Sequence, residues 1–122
     1  MPDIETLWAS QEDRLFELHA NLCKVFTDPK RLQIMGLLGE RERSVNELAL
    51  ELGARASTVS QHLALMRLHG VVRARREGTT IFYALTYPEI LDACRIIHGI
   101  LIKRLGEAGD LAEHPTAQSM LA

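Results

Sequence analysis

One stretch in the middle of the chain places small polar residues at a helical spacing that suits hydrogen bonding to another molecule. At about 100° per residue, one side of a helix here is apolar and the opposite side is polar. The apolar side holds Val59, Leu63 and Met66, and the polar side holds Ser57, Ser60, Gln61 and Ala64. The polar side carries no acid, so it can approach phosphates, and its serine and glutamine side chains can bond to base edges in the major groove of double-stranded DNA.

Further residues of this stretch join the predicted DNA-contacting surface. Thr58 follows Ser57 at the start of the helix. His62 lies at the border of the apolar side, where a phosphate contact and a packing or hydrogen-bonding role are both open. Arg55 precedes the helix and Arg67 lies near its end, and a guanidinium group at either place can bind a phosphate. The predicted surface therefore follows the whole helix.

A β-rich segment with three arginines comes next. Two alternating runs around Glu77-Gly78 predict a hairpin over residues 71–85. Arg73 and Arg75 are expected to point outwards from it, where guanidinium groups can follow phosphates or enter the minor groove. The other residues of the predicted surface lie around the hairpin tip and are Arg76, Thr79 and Thr80.

The charge of the chain is distributed unevenly. The 122 residues carry a formal charge of −2, but residues 54–80 hold five arginines and one acid, which gives +4. The remainder holds nine Lys and Arg and 15 Asp and Glu, which gives −6. A cationic segment on an acidic body can direct one surface towards phosphates. A chance cluster of charges on a solvated face is the alternative interpretation.

Two pairs of cysteine and histidine residues form a second candidate site. His19 and Cys23 lie four residues apart, and so do Cys94 and His98. Because each pair shares a helical face, the four side chains can surround Zn²⁺ or another thiophilic metal if their helices meet. Two other interpretations stay open. The thiols can respond to oxidants or thiophilic species, or all four residues can simply pack in the protein interior.

Several helices must position these residues. Apolar spacing predicts a first helix over residues 11–26, and Asp28-Pro29 predicts the start of a second, which ends at Gly39. Ser44 and Glu47 form a predicted capping box for the helix that precedes the polar one. That helix is expected to end at Gly53, and the polar helix to span about 56–68.

A last helix is predicted after the hairpin. Thr86 and Glu89 have the spacing of a second capping box at its start. The apolar residues expected on one side of this helix are Ile90, Leu91, Cys94, Ile97, Leu101 and Leu105.

Four segments occur in a distinctive order, beginning at Phe26, Ser44, Ser60 and Arg75 and reading FTDPKRLQI, SVNELA, SQHLALMR and RREGTTIFYAL. Together they resemble the ArsR/SmtB family of winged-helix repressors, over about residues 18–101. The resemblance implies a homodimer formed by the first and last helices. It also implies a repressor that binds a palindromic operator and leaves it when an inducer binds.

The chain departs from this family in places. The family usually has Ser and a polar residue where this chain has Arg55 and Ala56, so the usual helix cap is lost. The sites of three groups of sensors do not transfer, because their positions hold other residues here. Those residues are Glu47–Leu52 for the arsenic and cadmium sensors, Tyr87, Glu89, Ile100 and Lys103 for the zinc sensors, and Gly36 and Ile102 for the persulfide sensors.

The sequence therefore predicts a mostly α fold with a small β-hairpin, a winged helix-turn-helix in the order α-α-α-α-β-β-α. We expect a leader of uncertain order over 1–10, one domain over 11–106 and a flexible acidic tail over 107–122. The predicted function is a cytoplasmic, DNA-binding transcriptional repressor that acts as a homodimer without a membrane segment. The alternative is a winged-helix module for protein contacts. Enzyme activity is not expected, because no phosphate loop or catalytic arrangement of side chains stands out.

Overall fold

The computed structural model describes residues 3–108. Its elements are, in chain order, α1 (Ile4–Ser10), α2 (Asp13–Cys23), a 3-10 turn (Lys24–Phe26), α3 (Pro29–Glu40), β1 (Arg43–Ser44), α4 (Val45–Leu52), α5 (Ala56–Leu68), β2 (Val72–Glu77), β3 (Thr80–Leu85) and α6 (Ile90–Glu107). The predicted fold class is confirmed. Almost all of the predicted acidic tail lies outside the described residues.

Two elements lie where none was predicted. Helix α1 occupies most of the expected leader, and its N-cap Asp3 accepts a hydrogen bond from the Thr6 amide at 2.7 Å. Trp8 of this helix packs edge-on against Phe16 of α2, with ring centroids 5.0 Å apart. Strand β1 has only two residues and pairs antiparallel with β3, so the sheet has the order β1-β3-β2.

Three predicted helix ends are confirmed. Asp28 accepts hydrogen bonds from the amides of Lys30 and Arg31 at 2.8 and 3.2 Å, and Pro29 begins α3. Ser44 and Glu47 form the reciprocal capping box of α4, with both bonds at 3.2 Å. Gly53 ends α4 at a φ of +60°, a conformation that favours glycine. These caps fix where α3 begins and where α4 begins and ends, whereas α3 ends at Glu40, one residue beyond the predicted Gly39.

The second predicted capping box is wrong. Glu89, not Thr86, is the N-cap of α6, and its side chain makes no capping bond. The amides of Ile90 and Leu91 bond instead to the carbonyls of Tyr87 and Pro88 at 3.1 and 3.0 Å. A tight turn of main-chain bonds thus satisfies the first donors of the helix without a side-chain cap.

The core lies between α3, α4, α5 and the base of the sheet. Its fully buried side chains include Val25, Ile34, Met35, Leu48, Val59, Leu63, Met66 and Val71. The apolar side predicted for α5 is therefore confirmed, and the core holds α5 on one side only.

The outer helices α1, α2 and α6 leave large apolar side chains exposed. The most exposed of them are Ile4, Trp8, Leu18, Ile96, Ile97, Ile100 and Ile102, each more than half accessible. None of the helices among residues 3–108 is long and apolar enough to cross a membrane.

Candidate nucleic-acid interface

The polar edge of α5 is exposed along its length. Its exposed side chains are Ser57, Thr58, Ser60, Gln61 and Ala64. None of them is acidic, and the opposite side of the helix is buried in the core. The short turn after Gly53 holds α4 directly ahead of α5, which gives the helix-turn-helix arrangement. An edge of this shape and polarity suits the major groove of DNA.

The start of α5 lacks a side-chain cap. Arg55 is the N-cap residue and has an extended backbone, but its side chain makes no capping bond. This arrangement agrees with the loss of the usual cap read from the sequence. Arg55 is exposed, so its guanidinium group is accessible to a phosphate.

His62 packs inside the protein rather than lining the exposed edge. Its side chain is only 17% accessible, and its Nε2 lies 3.9 Å from the Asp28 carboxylate. Its Nδ1 lies 3.4 Å from Nη1 of Arg31, whose guanidinium also donates to the carbonyls of Val25 and Lys24. The packing and hydrogen-bonding interpretation of His62 is thus the better supported one. The role of Arg31 in joining α3, α5 and the 3-10 turn was not predicted.

The predicted hairpin is present as the wing, which we define as β2, β3 and the two-residue turn between them. Glu77 pairs with Thr80, and Gly78 takes the first turn position at a φ of +64°. Glycine at this position is typical of a two-residue hairpin turn. Arg73 and Arg75 share one face of β2, and Arg76 lies on the other.

Arg75 does not extend freely towards a ligand, contrary to the expectation from the sequence. Its Nε lies 2.9 Å from both carboxylate oxygens of Glu42, and its Nη1 lies 2.9 Å from Oε2 of Glu77. Its guanidinium carbon lies 4.9 Å from the centre of the Phe82 ring. Glu42 was not among the predicted site residues, because nothing in the charged connection before β1 distinguishes it in the sequence.

The other arginines of the predicted surface have fewer partners. Arg73 donates to the carbonyl of Leu85 at 3.0 Å. Within residues 3–108, no carboxylate lies within 4.0 Å of Arg55, Arg67, Arg73 or Arg76. All four are exposed, together with Thr79 and Thr80 at the tip of the wing. Their charges are therefore available to phosphates.

The predicted cysteine and histidine site is brought together in part. His19, Cys23, Cys94 and His98 all line one apolar groove of about 510 Å³ between α2 and α6. The pKa of the Cys94 thiol is raised, mainly by burial and to a smaller extent by the nearby Cys23 thiol. The His19 ring also packs against Trp8 of α1, with centroids 6.0 Å apart. The two thiols thus share one environment.

The interpretation of these four residues as a zinc site within one chain is not supported. In the part of the chain that the structure describes, no group of three or more His, Cys, Asp or Glu side chains is placed to hold a metal ion. A tetrahedral site needs its donors to converge on one point. Sharing a groove does not meet this requirement. The two remaining interpretations of these residues are reaction of the thiols and packing.

Comparisons with known proteins agree with this geometry. The profile of the bacterial regulatory protein arsR family matches residues 28–74, which span α3 to the start of the wing. The HTH-type transcriptional regulator Rv0081 of Mycobacterium tuberculosis is 35% identical over 98 residues, which cover 80% of this chain and 86% of Rv0081. This chain belongs to the ArsR family. It is a winged helix-turn-helix transcriptional regulator, and the resemblance read from its sequence is confirmed.

Two solved structures extend the comparison beyond the matched profile. The crystal structure of Rv0081 covers 79% of this ArsR-family chain with a TM-score of 0.70, and the match takes in 97% of that structure. The second is the solution structure of Mb0332 from Mycobacterium bovis, described as a homodimeric winged helix-turn-helix DNA-binding domain. The match covers 80% of this chain and 91% of the Mb0332 chain. That match has 28% identity and a TM-score of 0.69.

Proposed function

We propose that this protein represses transcription by binding a palindromic DNA operator as a homodimer. The observation that carries the proposal is the acid-free polar edge of α5, held rigidly by the core and flanked by exposed arginines. Gln61 is the residue of this edge best suited to read a base, because its amide can make a bidentate contact with adenine. Arg55, Arg67 and Arg76 would bind the phosphate backbone and hold the helix in register.

The homodimer follows from the outer helices. Their exposed isoleucines and leucines form a surface more apolar than a monomer needs, and a second copy is the partner that a two-fold contact supplies. Two copies of α5 would then lie about 34 Å apart, one turn of DNA. A regulator of this kind works where the chromosome is, so we assign the protein to the cytoplasm.

Base reading by Gln61 is tested by measuring affinity for a duplex selected from a random library and for an unselected duplex. We expect Gln61→Ala to weaken binding to the selected duplex by about 5- to 150-fold and to change binding to the unselected duplex little. Gln33→Ala on α3, another exposed glutamine, is the control and should change neither affinity. Equal losses for both duplexes would exclude base reading by Gln61. Failure of the wild-type protein to bind any duplex would favour the protein-contact alternative.

We further propose that the inducer is an oxidant or thiophilic species that reacts with Cys23 and Cys94. Both thiols line the groove between α2 and α6, the helices that the proposed dimer uses. In the single chain Cys23 is exposed and is the thiol that a reagent reaches first, whereas burial raises the pKa of the half-buried Cys94 thiol and slows its reaction. A chemical change at these thiols would move α2 against α6 and alter the spacing of the two reading helices.

The sensing proposal is tested by DNA binding before and after treatment with a hydroperoxide, with recovery in reductant. The wild-type protein should lose affinity for DNA reversibly, and Cys23→Ser and Cys94→Ser should keep theirs. A wild-type protein that loses its thiols by titration but keeps full DNA affinity would show that the two cysteines only pack.

A further inference from the structure

The contact between Glu42 and Arg75 joins two segments that are 33 residues apart in the chain. Besides the two bonds from Nε, Nη2 of Arg75 lies 2.8 Å from Oε1 of Glu42. Nη1 bonds to Glu77, and the guanidinium group lies over the ring of Phe82. All three guanidinium nitrogens of Arg75 therefore have a partner within the protein. Glu42 belongs to the short connection between α3 and β1, so the contact ties the wing to the helical body.

The charge of Arg75 is also compensated. Two carboxylates surround one guanidinium group, and both hydrogen bonding and charge lower the pKa of Glu42, so it stays ionised. Glu42, Arg75 and Glu77 together carry −1, and Arg73 on the same face of β2 adds a more distant positive charge. A phosphate that approached Arg75 would have to displace Glu42 and Glu77 first, and it would be repelled by them. Arg75 is therefore a poor phosphate ligand in this arrangement.

Arg76, the next residue, has no acidic partner in the described part of the chain. It lies on the other face of β2, opposite Ile81, and is exposed. Among the described residues no carboxylate lies within 4.0 Å of it, whereas Arg75 has two. A strand alternates its side chains between faces, so the two arginines cannot serve the same surface.

We propose that Arg75 is a positioning residue that latches the wing to the α3–β1 connection through Glu42, and that Arg76, rather than Arg75, contacts phosphate from the outer half of the wing. Strand β1 pairs with β3 only at Phe82 and Tyr83, so the outer half of the wing is a two-stranded hairpin, which is marginally stable and has little core beneath it. The bidentate contact with Glu42 supplies the missing constraint. The assignment of Arg76 rests on DNA being the partner, as proposed above, whereas the latch itself does not.

Lysine substitutions separate the two roles, because lysine keeps the charge but cannot form the planar fork. We expect Arg76→Lys to bind DNA nearly as well as the wild type, and Arg75→Lys to bind roughly twofold to fivefold more weakly. Glu42→Gln should weaken binding as much as Arg75→Gln, and the double variant should lose no more than either single one.

The salt dependence of binding provides a readout that a purely structural residue does not move. Each phosphate contact adds about one to the slope of log affinity against log salt. Arg76→Gln should lower the magnitude of that slope by about one per protomer. The double variant Glu42→Gln/Arg75→Gln should keep the wild-type slope, because it removes a contact that is neutral towards DNA.

Amide hydrogen exchange tests the latch without DNA. Exchange in β2 and β3 should be faster in Glu42→Gln and Arg75→Lys and unchanged in Arg76→Gln. The proposal is overturned if Arg75→Lys retains full affinity while Arg75→Gln lowers the salt slope, or if Glu42→Gln strengthens binding. Unchanged exchange in the two latch variants would refute the latch even if the protein bound no duplex at all, a result that would count separately against the proposed function.

Discussion

Asp28 uses one carboxylate for two contacts. Its Oδ1 accepts the amide bonds that begin α3 and also faces His62 of α5 at 3.9 Å. Burial opposes its ionisation, but amide bonds from Arg31 and Lys30 and the charges of His62 and Arg31 outweigh this effect. The pKa of Asp28 therefore lies below its ordinary value of 3.8. A carboxylate with a lowered pKa stabilises the folded protein above the unfolded pKa, and this contribution is lost as the pH falls through the folded pKa.

We predict that Asp28→Asn flattens the acid side of the stability curve. Asparagine is also a good N-cap, so α3 should still form. Urea unfolding should show the variant less stable than the wild type near pH 7, with the difference shrinking below about pH 4. Asp92→Asn on the exposed surface of α6 is the control, and its difference should be small throughout. A gap for Asp28→Asn that stays constant down to about pH 2 would contradict this account.

At the scale of elements, the contact between α3 and α6 depends on a residue without a side chain. A Cβ atom at Gly39 would collide with the side chain of Leu91, which is nearly buried on α6. Gly36, one turn earlier on the same helix, has no atom within 4 Å of such a position. The two glycines lie on the same helix, but only Gly39 is in contact with Leu91. The same substitution at both positions therefore isolates the effect of that contact.

The pair gives a prediction with opposite signs. Gly36→Ala should stabilise the protein by up to about 1 kcal/mol, because alanine is the better helix former. Gly39→Ala gains the same preference but must displace Leu91, and overpacking of this kind typically costs about 1–3 kcal/mol. Denaturant unfolding of both variants measures the two effects. If the contact with Leu91 is the cause, Gly39→Ala should cease to be destabilising in a Leu91→Ala background.

The helices that carry the site were predictable because their signals are local. Asp28-Pro29 and the pair Ser44 and Glu47 mark starts of helices within four residues, and the bounds of α5 agree with the prediction. Strand β1 has two residues and shows no alternation. Thr86 had the spacing of a cap, but main-chain bonds of the turn replaced it. The partner of Arg75 is 33 residues away, and no local pattern encodes such a contact.

On the scale of the whole molecule, the cationic segment and the largest exposed apolar side chains lie on different elements. Five exposed arginines lie beside or on α5 and on the wing, in a segment whose one acid is Glu77. Most exposed apolar side chains lie on α1, α2 and α6, although α2 and α6 also carry the exposed Arg14, Arg95 and Arg104. One part of the molecule therefore suits phosphates and the other suits an apolar partner. This division allows one chain to bind a copy of itself and DNA at the same time, without competition between the two surfaces.

The division predicts that one substitution on α6 separates assembly from folding. Ile100 is 53% accessible and lies one turn after Ile96, which is 66% accessible. Sedimentation should give the wild type twice the chain mass of 13.7 kDa and Ile100→Lys the mass of one chain, since a lysine on this apolar face would be buried in the contact without a partner.

Leu50→Lys is the control, because Leu50 is 84% accessible on α4, away from the apolar helices, and its variant should remain a dimer. Circular dichroism should show both variants folded. Ile100→Lys should bind a two-site duplex about a hundredfold more weakly or worse, because the second half-site no longer benefits from linkage to the first. A wild-type protein that sediments as one chain at micromolar concentration would refute the dimer. An Ile100→Lys variant that still forms a dimer would place the contact elsewhere on the outer helices.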